Sequence, residues 1–177
     1  MKKIVLTFGL IMGAILSAMM VLNHTMMDEI GFDKAEIIGY TTMILASMMV
    51  FFGIRSYRDN VAHGSISFGK ALQVGLLIVL VANVCYVGTW QVIFYNFEPD
   101  FMEKYAAYAI DKARASGATA QEIAKETKEM NDMVTSFKNP IVNVAYSFLE
   151  LLPVGLVASL LAAAVFSRKR PLVEATS

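Results

Sequence analysis

The sequence predicts an all-α membrane protein: four transmembrane helices, with a helical hairpin on the extracytoplasmic side between the third and the fourth. Three observations carry this. Four apolar runs are each long enough to cross a hydrocarbon layer of about 30 Å, which takes about 20 residues of helix. The basic residues near those runs gather at alternate ends. The one long polar connection carries start and stop signals for two helices. Composition agrees: 56% of the 177 residues are apolar and 17% are charged, and the mean hydropathy is +0.55, as expected of a chain solvated by lipid. The 15 basic and 15 acidic residues cancel, so net charge points to neither nucleic acid nor an anionic surface. The whole chain, 1–177, reads as one integral membrane domain.

The predicted spans are 4–22, 37–54, 71–97 and 141–166. The first follows a Lys2-Lys3 start, but its apolar run exceeds the ~7 to 15 residues of a signal core, and Asn23, His24 and Thr25 supply no small-residue cleavage pattern. It therefore reads as a retained helix. The single cysteine, Cys85, lies inside the third run, so neither an internal disulfide nor a CxxC zinc site is possible. Lys2 and Lys3, then Arg55, Arg58 and Lys70, then Arg168, Lys169 and Arg170 fall on one side of the membrane. The first connection sets Lys34 against Asp28, Glu29, Asp33 and Glu36, and the third sets six basic residues against eight acidic. Basic residues favour the cytoplasmic side. Both termini are thus expected in the cytoplasm, as an even number of spans requires.

The third connection, 98–139, reads as the helical hairpin. Pro99 suits a first helical position, Phe101, Tyr105, Tyr108 and Lys112 follow helical spacing, and Gly117 offers a left-handed stop. Thr119 and Glu122 make a capping box for a second helix. Along it, Ile123, Thr127, Met130, Val134 and Phe137 draw an apolar stripe opposite Gln121, Lys125, Glu129 and Asp132. Two helices of about 18 residues would form an antiparallel hairpin roughly 25 Å long. It serves either as a packed cap or as a docking surface. Asn139 then caps the fourth span and Pro140 begins it.

That span raises the main chemical question, because "SFLELLPVG" sets Glu150 in an otherwise uncharged run. At 1.5 Å per residue from Pro140 it lies about 15 Å deep. Burial disfavours its charge, so it must be paired, wetted or neutral. Asn143, Ser147 and Glu150 form one stripe, and Asn83, Tyr86 and Trp90 form a second on the third span. In an antiparallel pair, Asn83 and Tyr86 are the expected partners of Glu150, with Trp90 and Gln91 nearer Ser147 and Asn143. Tyr40 and Thr41 lie too near the outer end of the second span to be first choices. Two roles stay open: an interhelical hydrogen bond worth ~0.6 to 2 kcal/mol, or a carboxylate that carries a proton or cation. Pro153 frees a carbonyl in the preceding turn and can kink the helix there. No paired repeat of the transporter kind is visible.

Gly9, Gly13 and Ser17 on the first span, and Gly155, Ser159 and Ala163 on the fourth, recur at four-residue intervals and allow close backbone approach. Such ridges join helices within a chain or between chains. His24, Asp28 and Glu29 fall short of a metal site, and the scattered methionines read as packing. No metal or cofactor is expected. There is no phosphate loop, HExxH or G-x-S-x-G, and His63 has no nucleophile near it, so no enzymatic activity is expected.

The stretches "RSYRDNVAHGSISFGKALQVGLLI" and "FKNPIVNVAYSFLELLPVGLVASLLAAAVFSRK" resemble a bacterial family catalogued as domain of unknown function 4199. The similarity covers nearly the whole chain and is most specific at Ile66 to Gly75, Asn139-Pro140 and Glu150 to Gly155. The resemblance implies a small four-span protein of the bacterial inner (cytoplasmic) membrane and supplies no activity. Within the second connection, Ser67 is a fair cap for the third span, with Phe68 and Lys70 at headgroup level. The expected function is structural or accessory: binding other membrane proteins, or a second copy, through the small-residue ridges and the hairpin. The alternative is a small transporter, or a subunit of one, with Glu150 as the carrier. Partners are lipid and other membrane proteins, not nucleic acid.

Overall fold

A computed structural model describes residues 1–167; Arg168, Lys169 and Arg170, which support the expected orientation, lie outside the described residues. Seven helices follow in order: α1 (Lys2–Thr25), α2 (Met27–Ala46), α3 (Met48–Asn60), α4 (Phe68–Asn96), α5 (Phe101–Ala115), α6 (Ala120–Phe137) and α7 (Pro140–Phe166). Four units are long and apolar enough to cross a membrane: α1, α2 with α3, α4, and α7. Their outer surfaces carry exposed Leu10, Ile44, Val84 and Val157, which suits contact with lipid tails.

α4 is the central helix, with α1 against one side and α7 against the other. Small residues make the closeness possible. A Cβ at Gly9 would stand 2.6 Å from Val81 Cβ and 3.0 Å from the Ile78 carbonyl, and one at Gly13 would stand 2.7 Å from Cys85 Cβ. Ser17 accepts a hydrogen bond from Thr89 Oγ1 at 2.8 Å. On α7, Gly155 abuts Val79, and Ser159 meets Gly75 while donating back to its own Gly155 carbonyl at 2.7 Å. Ala163 is fully buried. The ridges are thus largely covered inside this chain, by α4 above all. Between lipid-solvated helices this packing and its hydrogen bonds supply the attraction, because tails are as apolar as the core.

The second span departs most from its prediction. A single helix over 37–54 is expected; the chain instead turns at Met26, is already helical from Met27, and breaks at Ser47 into α2 and α3. Asp28 and Glu29 in the first turn favour the early start, since carboxylates complement a helix N-terminus. Gly31, at φ 72° and ψ 166°, interrupts it in a region open essentially to glycine alone. At the break Ser47 donates to the Ile44 carbonyl at 2.6 Å. α3 continues to Asn60, well into the expected connection, and packs on α1, α4 and α7. Residues 61–67 then make the turn, with His63 and Gly64 at positive φ, and Ser67 caps α4 by accepting from Lys70 N at 3.4 Å. Lys70 Nζ bonds Gln73 at 3.0 Å.

α5 and α6 form the hairpin, tied at its base by Lys138 and Glu103 at 3.8 Å. Pro99 sits in a turn ahead of α5, which starts at Phe101, so α5 has 15 residues instead of about 18. Gly117 ends it at φ 81°, and the Thr119–Glu122 capping box begins α6. The α6 stripe from Ile123 to Phe137 is half-buried while Gln121, Lys125, Glu129 and Asp132 are exposed. The aromatic face of α5 receives Phe32 of α2, whose ring lies 5.8 Å from Phe101, 5.7 Å from Tyr105 and 5.0 Å from Tyr108. An ion pair between Asp33 and Lys112 closes the same contact, and the Asp33 carboxylate holds the Lys112 ammonium above the usual lysine range.

Candidate functional site

The Ser47 break divides the bundle by depth. On the far side of it from the hairpin, α1, α3, α4 and α7 close around fully buried Val50, Ile54, Val74 and Ile78. On the hairpin side, α2 leans on α1 and reaches α5 through Phe32, leaving the facing sides of α4 and α7 uncovered. A cavity of about 420 Å³ results, walled by α1, α2, α4 and α7 and roofed by α5 and α6. That volume lies within the ~300 to 1,000 Å³ of small-molecule sites.

Glu150 and Tyr86 line it together. Tyr86 is 8% exposed and donates from its hydroxyl to Glu150 Oε2 at 2.8 Å. Glu150 itself is exposed, so the acid expected to be enclosed among helices faces an open chamber at that depth. Its Oε1 receives no hydrogen bond among the described residues. Asn83, the other expected partner, donates instead to the Phe148 carbonyl on α7 at 2.9 Å, next to the carbonyl that Pro153 leaves free. Closer to the hairpin, fully buried Asn143 accepts through Oδ1 from Trp90 Nε1 at 2.9 Å and Gln91 Nε2 at 2.8 Å. Ser147 donates back to the Asn143 carbonyl at 2.8 Å and reaches no side chain on α4. The two polar stripes therefore meet through two contacts, Tyr86 with Glu150, and Trp90 and Gln91 with Asn143. Both hold α4 against α7; only the first opens on the cavity with both partners.

Tyr40, set aside as too shallow, lines this cavity, as do Glu36 one turn before it, Asn23 on α1, Tyr105 on α5 and Tyr146 on α7. Burial pushes the Tyr105 phenol up. The Glu36–Tyr40 spacing is the available signal, and it becomes visible once α2 starts at Met27 instead of at 37. Asn23 spans the corner by donating to the Ala35 carbonyl at 2.9 Å, while its own Oδ1 is buried without a partner among the described residues. His24 pairs with Glu98 at 3.7 Å, not with Asp28 or Glu29, and Glu98 also holds Lys104 at 2.7 Å. No group of three potential metal ligands occurs among the described residues.

Four apolar spans, three of them packed around α4, with a half-open cavity beneath a helical cap, define a multi-pass helical membrane protein. The chain belongs to the family described as protein of unknown function (DUF4199), whose profile matches residues 7–168. No curated protein and no solved structure matches it.

Proposed function

We propose that this chain is a small ligand-binding protein of the inner membrane, holding a lipid-soluble molecule in the cavity between α2 and the α4–α7 pair. The observation that carries the reading is the position of Glu150: an accessible carboxylate facing an otherwise largely apolar chamber at mid-span, where an ionisable group with no task is costly. The distribution of Lys and Arg supports placing both termini in the cytoplasm, and hence the hairpin and the cavity on the extracytoplasmic side. The chain itself supplies a reporter, since its one tryptophan, Trp90, lines the cavity. Titrating the purified protein with lipophilic probes should change Trp90 emission saturably. Gly39→Phe, at a cavity position where an added side chain meets open space, should abolish that change. An unsaturable response, or one that survives Gly39→Phe, would refute the reading.

A second reading, an accessory protein that docks a partner on the hairpin, is favoured by α6, which has no fully buried residue and presents an unpacked charged face. Crosslinking from Lys125 in native membranes tests it; recovery of uncrosslinked protein alone would count against it.

A further inference from the structure

We propose that the cavity selects a lipophilic organic cation, one whose positive charge is delocalised over an apolar or aromatic body. This rests on the ligand-binding reading and adds the sign and chemistry of the ligand.

The lining carries two carboxylates, Glu36 and Glu150, while no lysine or arginine lines it among the described residues. The imidazole of His24, which also lines the cavity, faces Glu98 at 3.7 Å. Glu150 Oε1 and the buried Asn23 Oδ1 are both acceptors without donors. A donor or a cation is what the site lacks.

The walls fit the body of such a ligand. Four tyrosines, three phenylalanines and Trp90 line the chamber, and aromatic faces attract cations, more strongly as water is excluded. Six methionines fill the remaining wall with flexible, polarisable side chains that adapt to shape. A delocalised cation suits this better than a primary ammonium, which keeps its water tightly and would cost more to desolvate. Bilayer phospholipids are disfavoured: their phosphate would enter beside two carboxylates with no lysine or arginine in the lining to receive it. With protein and lipid in place of water, charges at this depth are weakly screened, which makes that penalty large.

The experiment uses the full chain in detergent and three probes of similar shape: tetraphenylphosphonium, tetraphenylborate and neutral triphenylphosphine oxide. Equilibrium dialysis and Trp90 emission are read for wild type, Glu150→Gln, Tyr40→Leu and Gly39→Phe in the same micelles, so that partition into detergent cancels. Glu150→Gln should weaken tetraphenylphosphonium at least tenfold, leave the neutral probe within twofold, and leave or improve tetraphenylborate. Tyr40→Leu, at an exposed position tolerant of change, should weaken the cation several-fold. If Glu150→Gln and Tyr40→Leu leave the phosphonium unchanged while Gly39→Phe abolishes all binding, the cation preference is wrong and the cavity reading stands. If Gly39→Phe changes nothing for any probe, both fall.

Discussion

Asn143 and Glu150 sit on the same face of α7, two turns apart, yet they hold α4 differently. Asn143 is sealed and serves two donors at once, whereas Glu150 shares one hydrogen bond and faces the chamber. Asn143→Leu would leave Trp90 Nε1 and Gln91 Nε2 without an acceptor, a loss of about 1 to 3 kcal/mol for each donor kept from water. Tyr86→Phe removes a contact whose other member stays accessible, and interhelical bonds of that kind average roughly 0.6 kcal/mol. Unfolding in graded sodium dodecyl sulfate should therefore rank Asn143→Leu well below Tyr86→Phe; the opposite order would show that Glu150 is a structural tie. The residue spacing made these partners legible, because depth along two antiparallel helices is simple counting. It misassigned Asn83, since its acceptor is a main-chain carbonyl at Phe148 and carbonyls carry no sequence signal. It set Tyr40 aside because counting gives depth and says nothing of lean.

Helix ends were the most readable elements where a side chain closes them. Ser67, Thr119 with Glu122, Gly117 and Asn139 all act at the positions their chemistry indicates, because each satisfies orphan backbone groups locally. Pro99 failed as a start signal since the chain needs a turn after α4 before α5 can begin. The Ser47 break was illegible: Ala46, Ser47 and Met48 hold nothing that a continuous helix excludes. At the α6 cap, the backbone N–H and hydroxyl of Thr119 hold the Glu122 carboxyl below the usual range. A depressed acid stabilises the folded form above the ordinary glutamate value of about 4.3 and loses that contribution as pH falls below it. Protection of the first turn of α6 against hydrogen exchange, taken relative to the intrinsic rate at each pH, should accordingly fall below about pH 4 and barely change between pH 6 and 8. Thr119→Ala should reproduce the acid effect at neutral pH, at about 0.5 to 2 kcal/mol; equal protection in wild type and variant would contradict the cap. At Gly31, alanine would be forced into a conformation costing about 1 to 3 kcal/mol. Gly31→Ala should loosen the Phe32–α5 contact selectively, read as faster exchange in 27–36 with the α4–α7 core unchanged.

For the molecule as a whole, hydropathy gave the number of spans, four helices long and apolar enough to cross, because lipid admits few alternatives: every backbone group must be satisfied within the segment, so each apolar run is a helix. What hydropathy cannot express is how those helices share contacts. The small-residue ridges look alike on α1 and α7 whether a second chain or α4 covers them, and only the fold shows that α4 takes both. The proposed orientation has a direct check. In a Cys85→Ser background, a cysteine at Lys125 in the hairpin should react with a membrane-impermeant maleimide on intact spheroplasts, and one at Asp59 only after lysis. The reverse pattern would invert the proposal.

The break at Ser47 also bounds what the proposed binding could do. Past that level fully buried Val50, Ile54, Val74 and Ile78 fill the space between the helices, so a molecule held as proposed would leave through the doorway it came in by. Under the proposed reading such a fold would store, present or hand on its ligand within one leaflet; vectorial movement across the bilayer would require α3 to part from α4 and α7, on which it packs.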